Sequence, residues 1–312
     1  MAVAEFPTSI MIEPTNHCNS YCALCPTGSR ALRRPKGYMS EFLFQKIIDE
    51  TAEYGTSITL WHYGEPFLHP KIFNMIHYAV ERNLPVISST NGYVFYNNSS
   101  INDLILSGLS KLIVSIDGPS SEINSIYRKG VDLDRVIKGM EYFYRERSKV
   151  NTNQNSLPKI VVQMIVFKHN QDEIDAVHKI AQRFDASFEL KTANLNMVPD
   201  VNFESYLPDN EGYRRYFWEA NNNRWQHLGN FTNSCSFVDT GMAINWDGTV
   251  NPCCYDYQAD YNLGNVNQKS LADIWIGEPL ENLRKQINSD RSMIPICALC
   301  GVDRPHRHLT AN

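Results

Sequence analysis

Cys18, Cys22 and Cys25 fall within eight residues of one another in the spacing C-x3-C-x2-C, and no fourth cysteine lies near them in the sequence. Three thiolates so placed can hold three corners of a cubic iron–sulfur cluster and leave the fourth iron an open coordination site for a substrate or cofactor. A zinc ion is the alternative, with His17 as fourth ligand, although neighbouring ligands strain a tetrahedral site. The other five cysteines, Cys235, Cys253, Cys254, Cys297 and Cys300, lie in the last quarter of the chain, the final pair as C-x2-C. Five thiols exceed one tetrahedral site; four can hold a complete cluster or a structural zinc.

The rest of the composition narrows where such chemistry would take place. A hydrophobic fraction of 43% and a charged fraction of 20% exclude a mainly disordered chain. With 29 Lys plus Arg against 34 Asp plus Glu, the formal charge of −5 gives no general reason to bind nucleic acid or anionic lipid. No apolar run approaches the roughly 18 residues of a membrane span, and the N-terminus lacks a secretory pattern. A cytoplasmic protein without membrane or nucleic-acid partners is expected, and in that reducing compartment the cysteines are poor disulfide candidates.

Short β-branched runs at residues 9–13, 57–62, 85–89, 111–116, 159–167 and 187–190 alternate with amphipathic stretches at 40–48, 70–82, 134–144 and 172–184. Ser40 and Asp134 read as helix N-caps. Such alternation predicts an α/β layer, either a doubly wound sheet or a barrel, and six units leave a barrel open. The first cysteine group then lies in the loop after the first strand, at the end of the strands where barrel sites collect. The polar stretch 150–158 reads as a loop within this region. After Lys191 the periodicity is lost, and a hairpin around Asp247 and Gly248 marks a second, smaller unit. The expected organisation is a barrel over 1–191, a connection over 192–234 that includes an aromatic helix at 213–225, and a C-terminal domain over 235–312.

With these elements in place, the sequence resembles the radical S-adenosylmethionine enzymes. Their cluster loop, C-x3-C-x-Φ-C with Φ hydrophobic, is matched by Cys18, Cys22, Leu24 and Cys25. Gly64, Glu65 and Pro66 after the second strand are similar to the segment that holds the methionyl amino group, with Tyr63 replacing its first glycine. Thr90-Asn91-Gly92 and the Ser115 to Asp117 segment, the latter similar to the ribose-contacting one, follow the third and fourth strands. The C-terminal cysteines resemble a shortened SPASM, or twitch, domain: Cys235, Gly248-x4-Cys253, Leu263-Gly264-Asn265, Leu271-x2-Ile274-Trp275 and Cys297-x2-Cys300 occur in its order. The resemblance implies a partial (β/α)6 barrel followed by a small α+β twitch domain carrying an auxiliary iron–sulfur cluster. It implies a 4Fe-4S cluster with an open iron on Cys18, Cys22 and Cys25, S-adenosylmethionine bound there, and one auxiliary 4Fe-4S cluster on Cys235, Cys253, Cys297 and Cys300. A flavodoxin or ferredoxin reductant and a 5′-deoxyadenosyl radical that abstracts hydrogen from carbon are implied with it.

Cys254 is left without a cluster role. Strand alternation would turn it away from the face of Cys253, towards substrate, where a thiol can return hydrogen to a substrate radical and so epimerise it. Arg128, Gln163, Asn170, Lys191 and His62 would lie at the barrel mouth, each readable as a substrate contact or as a structural group. The run from Arg304 to His308 has metal-ligand types at the wrong spacing and reads as solvated. The small second domain favours a small-molecule substrate, and the similarity extends to the aminoglycoside-pathway dehydrogenases and epimerases. Dehydrogenation of a carbinol in a sugar, aminocyclitol or aminoglycoside is therefore expected, with epimerisation or ribosomal-peptide modification as alternatives. No peptide-recognition segment is legible, which weighs against the last of these. The non-enzymatic alternatives are a zinc-binding interaction module and an electron carrier, neither of which would cleave S-adenosylmethionine.

Overall fold

The computed structural model describes residues 3–150, 157–195, 198, 201–229 and 232–300. Six parallel strands stand side by side in chain order: β1 (Ser9–Ile12), β2 (Ser57–Thr59), β3 (Val86–Thr90), β4 (Lys111–Ser115), β5 (Lys159–Val166) and β6 (Ser187–Thr192). Their connections carry α1 (Glu41–Ala52), α2 (Ile72–Glu81), α3 (Asn98–Leu106), α4 (Ser121–Tyr127), α5 (Leu133–Arg147) and α6 (Ile174–Arg183). A doubly wound sheet reverses its strand order at a switch point; this one does not, so the winding is that of a partial barrel.

Local chemistry accounts for most helix starts. Ser40 caps α1 by accepting from the Leu43 amide at 3.1 Å. The cap of α5 is Asp132, whose carboxylate accepts from the Arg135 amide at 3.0 Å, and not Asp134, which lies in the first turn. The helix begins earlier because Leu133, 2% exposed, is already part of the core. Helix α3, absent from the sequence reading, buries Ile101, Leu104 and Ile105 at helical spacing behind an Asn97 cap.

Strand alternation divides the sheet into two unlike faces. Ile10, Ile12, Ile58, Val86, Leu112, Val114, Val162, Met164 and Leu190 pack into the core with the helices. Of the residues between them, Met11, Thr59, Ile87, Ser89, Ser115, Glu189 and Lys191 are half-buried or exposed, while Ile113, Val161 and Gln163 are buried. Because successive strand side chains point to opposite faces, this second set lines the concave interior, where polar and apolar side chains are mixed.

The C-terminal segment joins the same sheet. Strand β9 (Gly241–Ile244) pairs parallel to β1, and β10 (Thr249–Asn251) and β11 (Gly264–Asn265) follow antiparallel, giving the order β11-β10-β9-β1-β2-β3-β4-β5-β6. The expected hairpin at Asp247 and Gly248 joins β9 to β10, with Gly248 at φ +86°. A six-stranded open barrel leaves β1 as an unpaired edge, and β9 satisfies it. Helices α7 (Ser236–Thr240), α8 (Leu271–Trp275), α9 (Glu278–Asp290) and α10 (Pro295–Ala298) complete the segment. Among the described residues no helix is long and apolar enough to cross a membrane.

One expected helix is a hairpin instead. Residues 213–225 contain β7 (Tyr216–Glu219), paired antiparallel with β8 (Arg224–His227) so that Trp218 faces Trp225. The intervening Asn223 adopts a left-handed turn conformation at φ +49°, which Asn tolerates. Tyr216 is fully buried while Phe217 and Trp218 remain exposed, so what resembled a helical stripe is cross-strand aromatic pairing. Most of the 150–158 loop and all of the run from Arg304 to His308 lie outside the described residues.

Candidate active site

The loop after β1 folds tightly around its three cysteines. Sulfur atoms there receive hydrogen bonds: the Ser20 amide lies 3.4 Å from Cys18 Sγ, Asn91 Nδ2 lies 3.8 Å from the same sulfur, and the Thr27 and Gly28 amides face Cys25. Ser20 Oγ is 3.1 Å from Cys22 Sγ. Gly28 is required here, because a Cβ would stand 2.5 Å from the Cys22 amide nitrogen. Leu24 buries itself beside Cys22, Tyr127 and Phe167 in a small apolar cluster that closes the loop from below. Burial, then the nearby Glu65, pushes the Cys18 thiol up to about 12, and burial with Cys22 raises Cys25. Metal or cluster binding by these thiols would therefore release protons, and the amide donors are placed to receive the resulting sulfur charge. His17 is not turned to a shared ion; its ring stacks on Tyr38 at 4.6 Å. Among the described residues no group of three or more His, Cys, Asp or Glu closes on a single metal ion.

The segments after β2, β3 and β4 converge on this loop. The Glu65 amide donates to the His17 carbonyl at 2.8 Å, and Gly64, at φ +128°, sits so close that a Cβ would come 2.2 Å from the Thr15 carbonyl oxygen. Glu65 itself is an internal strut. Its carboxylate accepts from Thr90 Oγ1 at 2.9 Å, the Asn91 amide at 2.7 Å and the Phe67 amide at 3.2 Å, while Pro66 opens a short buried turn. Asn91 Nδ2 also reaches Asn19 Oδ1 at 2.9 Å, so the side chain ties the end of β3 to the cluster loop. Asp117 is fully buried, accepting from the Ile165 amide at 2.7 Å and pairing with Arg128 Nε at 2.6 Å. Asn170 is consumed structurally by the Asp117 and Ile165 carbonyls and the Phe167 amide. Ser115 lies on the open face, level with Gln163.

Burial lifts the Glu65 carboxyl to about 7 from an ordinary value of 4.5, against the pull of its three donors. The folded protein thus binds this proton more tightly than the unfolded chain, and the contribution to stability falls as pH rises from 4.5 towards 7, by about 3 kcal/mol. Glu65→Gln is expected to flatten that part of a chemical-denaturation pH profile. An unchanged slope would assign it to another group.

The second cysteine group rings one small pocket, bordered by Cys235, Cys253, Cys254, Cys297 and Cys300 with Val238, Leu283 and Ile287. Cys235 stands at the start of α7, Cys297 lies in α10 and Cys300 follows it. Burial holds up the Cys235, Cys253 and Cys297 thiols, the last to about 12, and the Arg291 guanidinium lies beside Cys235, Cys297 and Cys300. Cys253 and Cys254 follow β10 in a turn, so strand alternation does not separate them, and both border the cavity. This corrects the expectation that Cys254 turns away from it. Burial and Cys300 push Cys254 up to about 12, and Lys191 is a further neighbour.

A buried network absent from the sequence reading joins the two groups. Glu13, at the end of β1, pairs with Arg34 through two hydrogen bonds of 3.1 and 2.8 Å, and both are buried. Arg34 Nε donates to the Tyr257 carbonyl at 2.7 Å. His62 Nε2 lies 3.3 Å from the Cys254 carbonyl, which Tyr63 Oη also donates to. Burial, then Arg34, lowers His62 to about 3, so it acts as a neutral donor. A strand ending in Trp61-His62-Tyr63 carried no signal of such a contact.

The sequence profile of the Radical SAM superfamily matches residues 12–181, more than half of the chain. The chain belongs to the radical SAM superfamily. An iron–sulfur cluster-binding domain, SPASM, matches residues 235–301. A radical SAM enzyme with these two parts uses S-adenosylmethionine, a 4Fe-4S cluster and auxiliary iron–sulfur chemistry, acts on a small molecule or peptide, and needs a reductant. The chain is 24% identical, over 86% of its length and 81% of the relative's, to the tungsten-containing aldehyde ferredoxin oxidoreductase cofactor-modifying protein of Pyrococcus furiosus. It spans half or less of the length of several other curated relatives, among them an AdoMet-dependent heme synthase of Methanosarcina barkeri at 27% identity over 60% of this chain. Among solved structures it is similar to BtrN in complex with AdoMet and 2-DOIA, with a TM-score of 0.58 and 16% identity over 95% of this chain and 93% of that one. It is also similar to Streptococcus suis SuiB bound to S-adenosylmethionine, with a TM-score of 0.69 and 18% identity over 96% and 72%. At these identities both show the shared fold.

Proposed function

We propose that this radical SAM enzyme abstracts hydrogen from a C–H bond of a small polyhydroxylated substrate in the barrel mouth and dehydrogenates a carbinol. The observation that carries the reading is the interior face of the sheet, where Glu189 and Lys191 stand. Lys191 on that face has Cys254 and Arg128 among its charged neighbours, and Arg128 in turn has Cys22 among its own. BtrN, with 2-DOIA in its solved complex, supports a small substrate in a chain of this extent.

S-adenosylmethionine with the first cluster would supply radical chemistry for hydrogen abstraction, and the auxiliary cluster would supply an electron acceptor for the oxidation. Cys18, Cys22 and Cys25 would hold the first cluster, and Cys235, Cys253, Cys297 and Cys300 the auxiliary one. Backbone at Gly64 to Pro66, with Leu24, Asn91, Ser115 and Asp117, would shape the cofactor site; Asp117 would do so through Arg128. Glu189 is the carboxylate on the open face that would take the carbinol proton. Glu189→Gln is expected to slow product formation by about a hundredfold or more without lowering the iron content. Equal rates in the variant and the parent would remove the base from the scheme.

Epimerisation is the second reading, favoured by the proximity of Cys254 to Lys191 and by a thiol that stays protonated. Cys254→Ala separates the two. Loss of an epimer that carries solvent deuterium, with 5′-deoxyadenosine still formed, would establish the donor role. A product two hydrogens poorer than substrate, made equally by the variant, would establish dehydrogenation.

A further inference from the structure

Tyr63 stands where the motif that holds the methionyl amino group has its first glycine, and the proposed reaction leaves it unused. It is 2% exposed. Its hydroxyl donates to the carbonyl of Cys254, 191 residues away, and His62 Nε2 lies 3.3 Å from the same oxygen. The phenol is braced at both ends. The Tyr63 amide lies 3.4 Å from Glu13 Oε2, and the ring meets that of Tyr257 edge-on at 5.9 Å. Arg34 Nε in turn holds the Tyr257 carbonyl at 2.7 Å.

The Cys254 carbonyl is one end of a peptide group whose other end is the Tyr255 amide, and that amide faces the Cys253 sulfur. Because a peptide group is planar and rigid, a donor at its oxygen also fixes the direction of its N–H. The same donor polarises the group, so that the N–H donates more strongly. The turn has closures of its own: the Asp256 amide donates to the Cys253 carbonyl at 3.3 Å, and Asn251 Nδ2 to the Asp256 carbonyl at 2.9 Å. What Tyr63 and His62 set is therefore the Cys254–Tyr255 peptide within that turn. We propose that Tyr63 and His62 are positioning residues for the auxiliary cluster, acting through this peptide to aim an N–H at the Cys253 sulfur and raise the reduction potential of the cluster. The proposal rests on the reading of Cys253 as a cluster ligand. Reduction adds negative charge to the cluster and its sulfurs, so an amide donor there stabilises the reduced form more than the oxidised one. A higher potential favours the acceptor role, and the residues that orient a ligand are part of what tunes it.

The test is an anaerobic redox titration of the reconstituted holoenzyme followed by EPR. Tyr63→Phe keeps the ring against Tyr257 and removes only the hydroxyl. In this variant the auxiliary cluster is expected to favour its oxidised form about threefold more than in the parent, a potential roughly 30 mV lower at about 59 mV per tenfold for a one-electron couple. The first cluster, identified by the change in its signal when S-adenosylmethionine is added, is expected to stay where it was. His62→Phe removes the other donor and should shift the auxiliary potential in the same direction, which keeps the test open if Tyr63→Phe does not load. An unmoved auxiliary potential, or an equal shift in both clusters, overturns the proposal. In the parent labelled with nitrogen-15 tyrosine, pulsed EPR of the reduced auxiliary cluster is expected to show a coupling to the Tyr255 amide nitrogen; a shift in potential without that coupling would rule out the route through the peptide. Iron content of Cys253→Ala keeps the two readings apart. Iron at the parent's level would remove Cys253 as a ligand and the proposal with it. A fall of about four irons beside an unshifted potential in Tyr63→Phe would sink the proposal alone.

Discussion

Replacing Cys22 with alanine is expected to abolish 5′-deoxyadenosine formation, by more than about a thousandfold, and to lower bound iron from about eight to about four atoms per chain. Cys22 is 7% exposed, and alanine leaves its apolar neighbours Leu24, Tyr127 and Phe167 in place, so the loop should keep its fold. Cys235→Ala is the counterpart. It should also remove about four irons yet leave cleavage of S-adenosylmethionine in place, because Cys235 lies in the C-terminal segment at the start of α7 and not in the first cysteine loop. If both variants lost cleavage equally, the two cysteine groups would be one functional unit. If neither lost iron, both assignments would fail together. Iron and 5′-deoxyadenosine measured on the same anaerobic preparations decide between these outcomes.

The second large effect is on stability. Arg34→Met is expected to destabilise the protein by about 3–5 kcal/mol at neutral pH, because Glu13, with no exposed surface, would keep a buried charge without its partner. In a chain of this length that corresponds to a fall in Tm of about 10 °C. Burial already raises the Glu13 carboxyl above its ordinary 4.5 despite the bidentate Arg34. A raised folded-state value means that stability is lost as pH rises through the window above 4.5, and removing Arg34 widens that window. The variant should therefore be closest to the parent at acidic pH and fall behind as pH increases. Adding Glu13→Gln should recover part of the loss. Thermal melts of the three proteins across pH check this; a pH-independent deficit would point to lost packing in place of lost charge pairing. Because Arg34 also holds the Tyr257 carbonyl and Glu13 lies near the Trp246 amide, the same change should loosen the seam between the cluster loop and the C-terminal segment.

The contrast between these two sites shows how far the chain could be read unaided. All six barrel strands, Ser40 as a cap, the hairpin at Asp247–Gly248 and the cluster-loop motif were legible, because each depends on residues adjacent in sequence or on a period of two or near four. Three local readings went astray for one reason: a neighbour distant in sequence overrode the local signal. The α5 helix starts at Leu133 because the core claims that residue. Aromatic residues from Tyr216 to Trp225 pair across a hairpin because they dock on Phe203. Cys253 and Cys254 lie in a turn that closes over the C-terminal cavity, where strand parity has no force.

By itself the sequence determined the chemistry on offer: two sets of thiols, the order of the βα units and the ends of the strands from which side chains would act. Tertiary structure alone decided which of those side chains remain available. It spent Glu65 and Asn170 on internal hydrogen bonds and tied Asp117 to Arg128, while leaving Lys191 open to the cavity. It also set β9 against β1 and joined Glu13 to Arg34, which in turn holds the Tyr257 carbonyl of the C-terminal segment. The physical reason is that pairing an edge strand, neutralising a buried carboxylate and satisfying a buried amide are requirements of the folded interior. Their partners are chosen by proximity in space, which no spacing along the chain records.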